Sequence, residues 1–359
     1  MRRAIVVILL SGALVAGATA SGDAAQQLER WTFSLASPSF VAGLAFMWAG
    51  DHPSLNFYKN EGIDMAWVGV NGAPECVQHV LRKTVDSCVL VQDQVFLQAA
   101  QGNRLPISFP YEYTYKVTNE FGVKPDSPIR TVRDLKGKRI GVLSLGHDTY
   151  NYARLVMQGL GLDPGQQEYL AVGQGAQAVT YLYQGQVDAL VSYDIEWARM
   201  KAFGQPVRVL PQPDFIAAVK AGPVIATRSE DVQNRRHLVV GMLRGFLKST
   251  LFAMENPEAT LRMHWALHPE SKPKGVPEAE AFKTELSIMT ARYPALNKDL
   301  AGVTHRGEFN PEGWRNYVKN LLGLDPNKVN PTDFYTNGLV KDINNFDEQA
   351  FRKFAREFK

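Results

Sequence analysis

Residues 65–91 read MAWVGVNGAPECVQHVLRKTVDSCVLV, and 102 positions later residues 167–193 read QEYLAVGQGAQAVTYLYQGQVDALVSY. Laid over one another without a gap, Val70, Val77, Val85, Asp86 and Val89 fall on Val172, Val179, Val187, Asp188 and Val191. Each copy runs from a short apolar strand into a helix and through Val-Asp into a second strand. Strand-helix-strand units of this kind build parallel sheets with helices on their faces. Two related copies fit two α/β lobes better than one large sheet.

Outward from this repeat the alternation continues. Apolar runs predict strands at 31–35, 65–70, 88–91, 106–109, 139–143, 168–172, 189–193, 207–210 and 224–227, with helical three-to-four spacing between them. After residue 227 helices take over, at 232–255, 257–268, 277–293, 311–322 and 347–358, several of them opened by Pro or Asp. Phe346, Ala350, Phe351, Phe354 and Phe358 form an apolar stripe on the last of these, which reads as a face packed on a lobe.

The chain of 359 residues is 45% apolar and 21% charged, an ordinary globular composition of two or three domains that excludes collagen-like, coiled-coil and wholly disordered classes. Arg2 and Arg3 precede an uncharged stretch from Ala4 to Ala18, and Ala18-Thr19-Ala20 supplies a small-x-small cleavage pattern. These residues read as a signal peptide cut after Ala20, too short to span a membrane. The expected product is exported, soluble and periplasmic, with a net charge falling from +3 to +1 as two arginines leave. That charge, without basic patches carrying interleaved aromatics, excludes nucleic acid as a partner.

Cys76 and Cys88 are the two cysteines. A helix from 74 to 84 followed by a strand predicts their Cα atoms more than ~10 Å apart, beyond bridging distance, so both read as small buried hydrophobes.

Gly173-Gln174-Gly175-Ala176-Gln177-Ala178 matches a dinucleotide loop in its strand-to-helix setting, with Asp194 some 20 residues on, but it reads as a tight turn in an exported protein. His264 and His268 have the spacing of a metal pair on a helix, yet no Glu follows His264 and the pair reads as a solvated helix end. Residues 141–146 have one residue too many for a nucleophile elbow, and no P-loop is present. No cofactor and no metal is expected.

The segment SPIRTVRDLKGKRIGV at 127–142 resembles the substrate-binding proteins of ABC importers, in the group that serves nitrate, taurine, alkanesulfonates and thiamine pyrimidine precursors. Residues 57–64 (FYKNEGID), 185–189 (GQVDA), 255–258 (ENPE) and 334–337 (FYTN) resemble the same group. The resemblance implies two doubly wound, mostly parallel lobes joined by a hinge, with one ligand in the cleft between them and helices at the C-terminus packed on lobe one. The expected boundaries are 1–20 for the signal peptide, 26–118 for the first part of lobe one, 119–215 for lobe two, and 216–359 for the completion of lobe one. The crossings fall near 116–121 and 211–219.

In open α/β sheets ligands lie beyond the carboxyl ends of the strands, at helix N-termini. The candidate ligand-binding residues there are Ser37, Ser39, Phe40, Asn71, Gly72, Gln92, Asp93 and Tyr111 in lobe one, and His147, Asp148, Thr149, Tyr150, Gly173, Tyr193, Asp194 and Trp197 in lobe two. These ends are rich in aromatic and acidic side chains and nearly lack Arg and Lys, which points to a nitrogenous, heteroaromatic or cationic ligand rather than a sulfonate or phosphate. The functional expectation is a monomeric, non-enzymatic periplasmic receptor that hands a small organic nutrient to an ABC permease and its ATPase. The alternatives are a receptor for a membrane signalling protein and an enzyme of the thiamine-pyrimidine fold, the latter disfavoured because the cysteine cluster of that enzyme is missing.

Overall fold

The computed structural model describes residues 28–359 apart from Pro38 and Asn71. The signal-peptide reading therefore lies outside the described residues. Ten strands occur in chain order: β1 (Glu29–Leu35), β2 (Ile63–Gly69), β3 (Ser87–Leu90), β4 (Ile107–Glu112), β5 (Asn119–Val123), β6 (Arg139–Val142), β7 (Glu168–Ala171), β8 (Ala189–Tyr193), β9 (Arg208–Val209) and β10 (Val224–Arg228). The helices that concern the site are α1 (Ala73–Leu81), α2 (Asp93–Ala100), α3 (Asp148–Gly159), α4 (Ala176–Tyr183) and α5 (Asp194–Ala202). They are followed by α6 (Asp214–Ala217), α7 (Ser229–Asn234), α8 (Arg236–Glu255), α9 (Pro257–Leu267), α10 (Glu278–Thr290), α11 (Pro311–Asn316), α12 (Val340–Ile343) and α13 (Glu348–Glu357).

The strands form two five-stranded sheets, ordered β2-β1-β3-β10-β4 and β7-β6-β8-β5-β9. The two orders are the same pattern. Four strands of each sheet run parallel, and the antiparallel one, β10 or β5, is the strand by which the chain arrives from the other sheet. The internal repeat has a structural counterpart: β2, α1 and β3 occupy in the first sheet the places that β7, α4 and β8 occupy in the second. Even the repeated aspartate does the same work. Asp86 accepts from the Thr32 backbone N–H at 2.8 Å, and Asp188 accepts from that of Arg139 at 2.9 Å, each tying the entry of β3 or β8 to the neighbouring strand.

Strand β5 departs from the sequence expectation, which puts the outward crossing at 116–121 and no strand over 119–123. Asn-Glu-Phe-Gly-Val has little β-propensity, and pairing between β8 and β9 supplies what propensity does not. The crossings lie back to back. A side-chain carbon on Gly222 would stand 2.5 Å from the carbonyl oxygens of both Thr114 and Lys116, and the Gly222 N–H donates to the buried Glu112 carboxyl at 2.8 Å.

The cysteine expectation is corrected. Cys76 and Cys88 form a disulfide, with Cα atoms 6.1 Å apart. The helix ends at Leu81 rather than residue 84, and β3 runs back alongside it, recovering ~3.3 Å per residue against the ~1.5 Å per residue of the helix. Helix and strand run in opposite directions, so their lengths subtract rather than add.

Helices α8 and α9 pack on the first sheet, where Phe246, Leu243 and Leu261 share a core with Trp31, Phe33 and Ile225. Phe351 and Phe354 of the terminal stripe pack around Phe57, and Phe358 meets Phe252 at 5.3 Å, as expected of a docked face. Among the described residues no helix is long and apolar enough to cross a membrane.

Candidate ligand-binding site

The carboxyl ends of both sheets open into one cavity. From the first body come Leu35, Ala36 and Ser37 at the end of β1, Ala73 at the start of α1, Val89, Leu90 and Val91 at the end of β3, and Leu44 and Met47. The crossings add Tyr113, Thr118, Asn119 and Pro223, and the second body adds His147, Asp148 and Tyr193. Arg292, just after α10, completes the wall. A largely apolar cavity with a few convergent polar groups is the usual form of a small-molecule site.

Two charge pairs organise the polar part. His147 Nδ1 lies 2.8 Å from Asp148 Oδ1, and Asn119 donates to Asp148 Oδ2 at 2.7 Å. The same nitrogen also lies 3.3 Å from the Thr149 N–H, and it cannot donate to one while accepting from the other. The shorter carboxylate contact takes the proton. Burial pushes the imidazole pKa down, but the adjacent carboxylate outweighs it and holds the pKa above the usual value. Asp148 mirrors this: burial raises its pKa, and His147 with Asn119 brings it below the usual range.

The second pair joins Arg292 Nη2 to Asp194 Oδ1 at 2.6 Å. Burial lowers the guanidinium pKa, and Asp194, Tyr113 and Tyr193 together more than offset this. Arg292 belongs to the body of the first sheet. Ala295, three residues on, accepts from the Tyr115 N–H at 2.9 Å, and Met289 and Leu296 share the core of Trp31 and Phe33. Asp194 opens α5 on the second sheet. The pair therefore bridges the two bodies, with the Tyr193 ring 5.9 Å from the guanidinium.

Of the residues singled out from sequence, Ser37, His147, Asp148 and Tyr193 line the cavity, and Asp194 stands behind Arg292. Gly72 adjoins it: with φ of +90° it starts α1, and a side-chain carbon there would stand 3.6 Å from His147 Cδ2 of the opposite body. Thr149 is buried beneath, its hydroxyl accepting from the Leu143 N–H at 3.2 Å. Ser39 is exposed, and its N–H donates to the Ser37 hydroxyl at 3.5 Å. Phe40 stacks on His268 at 4.3 Å. Asn71 lies outside the described residues.

Others sit elsewhere in the fold. Tyr111 is buried against Phe246, Tyr150 packs on Tyr169, and Trp197 is in the core of the second sheet against Gly122. Gln92 is fully buried with its amide unpaired, and Asp93 accepts a hydrogen bond from the Tyr317 hydroxyl, its pKa pushed by burial to about 7. Gly173 turns with φ of +71°, and the N–H of Gly175 in that loop donates to the buried Glu196 at 3.0 Å. That donor is spent within the fold, as a tight turn requires.

The near absence of cations expected at the cleft is corrected by Arg292. It lies in a region read only as packing helices, and no strand-end rule reaches it. Tyr113 belongs to the strand end at 111–115 and, two residues past Tyr111 where β4 has ended, faces the cavity; Asn119 was missed because it starts the unanticipated β5. His264 is a buried core histidine rather than a solvated one. It accepts from Trp48 Nε1 at 3.1 Å and meets the Ser271 hydroxyl at 2.9 Å, with burial pushing its pKa down to about 3. Among the described residues no three His, Cys, Asp or Glu side chains are placed to hold a metal ion.

Two sheets of the same order, crossed twice by the chain, with a shared cavity at their carboxyl ends, define the periplasmic binding protein fold. The chain belongs to the NMT1/THI5-like family, whose model matches residues 53–260, more than half its length. No curated protein matches the sequence. A protein of Bordetella bronchiseptica RB50 is similar in structure, with 18% identity, a TM-score of 0.65 and coverage of 88% of this chain and 96% of that one. The periplasmic aliphatic sulphonate binding protein SsuA of Escherichia coli is similar at 18% identity and TM-score 0.55, over 72% of this chain and 83% of its own. The desulfurization enzyme DSZB is similar at 17% identity and TM-score 0.51, over 88% and 99%.

Proposed function

We propose that the chain is the substrate-binding component of an ABC importer, a non-enzymatic periplasmic receptor. It captures a small organic molecule, nitrogenous or aromatic in character, between two lobes and delivers it to the membrane permease. The observation that carries this reading is the single cavity walled by the strand ends of both sheets, with Tyr113 and Tyr193 to pack on a ring and Arg292, Asn119 and Ser37 to orient it. The crossings at 113–118 and 210–223 are the pivot, and a ligand that touches both bodies favours the closed arrangement by population shift. Against catalysis, both cysteines are joined in the disulfide and leave no thiol nucleophile.

The test is a thermal-shift screen against pyrimidines, aromatic amides, amines, sulfonates and carboxylates, followed by recovery of the bound compound. Binding at about 100 times Kd adds about 2.7 kcal/mol to stability. A compound that stabilises the protein and is recovered unchanged supports the receptor. Its conversion on incubation overturns that in favour of an enzyme.

A further inference from the structure

The charges around the cavity cancel in pairs. Of its lining residues only Arg292, His147 and Asp148 can carry charge. Arg292 is 4% exposed and is answered by Asp194 at 2.6 Å; Asp148 is answered by His147 at 2.8 Å and by the Asn119 amide. Charges just behind the wall are also matched: Glu196 with Arg199 at 3.1 Å, and Glu120 with Lys116 at 3.7 Å. Asp93 is held by the Tyr317 hydroxyl. With the imidazolium form that Asp148 favours, Arg292, Asp194, His147 and Asp148 sum to zero.

A ligand shut into such a place loses its water. An ion among groups that already have counter-ions finds none for itself, and an unpaired buried charge is costly. What remains open is hydrogen bonding. Arg292 lines the cavity and meets Asp194 through one nitrogen, Nη2, while its Nε is buried without a partner. We propose that the cavity selects a ligand of zero net charge, uncharged or zwitterionic, that presents a hydrogen-bond acceptor to Arg292. The inference deepens the receptor reading and rests on it. It also departs from the cationic ligand that an acidic cleft would favour, because each aspartate here already faces a cation, Asp194 keeping only its Oδ2 without a partner.

The experiment titrates probes of one shape and different charge: nicotinamide (neutral), trigonelline (zwitterion), nicotinate (anion) and 1-methylnicotinamide (cation), read by calorimetry on the full mature chain. The wild type is expected to bind nicotinamide or trigonelline at least about tenfold more tightly than either ion. Asp194→Asn frees the Arg292 charge and moves the preference toward nicotinate by about tenfold; His147→Gln frees Asp148 and moves it toward 1-methylnicotinamide by a similar factor. The two variants shift in opposite directions, so a general loss of folding does not imitate the result. A wild type that prefers an ion, or variants that leave the ranking unchanged, overturns the charge inference alone. No binding by any of the four, in any variant, counts against the receptor reading beneath it.

Discussion

Asp93 and Tyr317 meet in the interior, 224 positions apart in sequence, and the carboxyl there keeps its proton to about pH 7 because burial disfavours the charged form. Unfolded, the same group titrates near about 3.9. The folded state therefore binds this proton more tightly. Its contribution to stability is complete below about pH 3.9 and is lost as pH rises through about 7. Asp93→Asn keeps the acceptor for the tyrosine and removes the titration. Urea melts between pH 4 and 8 are expected to show a shallower fall in stability for the variant than for the wild type; parallel curves would contradict the assignment. Residues of this kind divide by how they could be found. Ser37, His147, Asp148 and Tyr193 follow strand ends and were legible from that rule. Arg292 follows a late helix and reaches the cavity only through the packing of α10 against both bodies, which no local pattern records.

Among elements, the repeat was the most legible feature, because one strand-helix-strand unit and one brace, Asp86 or Asp188, recur with the same spacing. Strand β5 was illegible because Asn119, Glu120 and Gly122 are depleted in strands and leave Phe121 and Val123 too short a run, which partners distant in sequence hold in place. The cysteine pair turned on geometry rather than pattern: a helix three residues shorter than expected and the return of β3 bring Cys76 and Cys88 together. Closing a loop with a sequence separation of 12 is worth about 3 kcal/mol. Cys76→Ser with Cys88→Ser is expected to lower the unfolding free energy by that order and to weaken ligand binding, since α1 carries Cys76 and its first residue, Ala73, lines the cavity. Unchanged melting with and without reductant would contradict it. At the crossings, Gly222→Ala forces a carbon against two carbonyl oxygens; we expect a loss of about 1–3 kcal/mol in denaturant melts, and a neutral result would mean the crossings are looser than described.

At the scale of the whole molecule, the bodies approach one another beside the Arg292–Asp194 pair at two glycines: a side-chain carbon on Gly72 would stand 3.6 Å from His147 Cδ2, and one on Gly43 would stand 2.5 Å from Cγ2 of Ile195 in α5. Gly43→Val is expected to wedge the bodies apart without disturbing either core. Small-angle scattering should then show a larger radius of gyration in the presence of ligand, and affinity should fall by about tenfold. An unchanged radius and affinity would mean that this contact plays no part in closure. The two-lobed plan was legible because alternation and repetition are properties of the sequence itself. The interior of the cavity was legible only in part, because it is made where two bodies and a late helix converge.

The account stands most directly on the claim that the cavity between the two sheets is where the ligand sits. Ser37→Trp places a bulky ring in that space from a half-buried loop position, so the cores of both bodies are left intact. Native mass spectrometry of the wild type and the variant, each mixed with the best stabiliser from the screen, measures the claim. The account predicts a one-to-one adduct on the wild type and its loss on the variant, with the two free proteins melting alike. An adduct that persists on Ser37→Trp at wild-type strength would contradict it and place the ligand elsewhere.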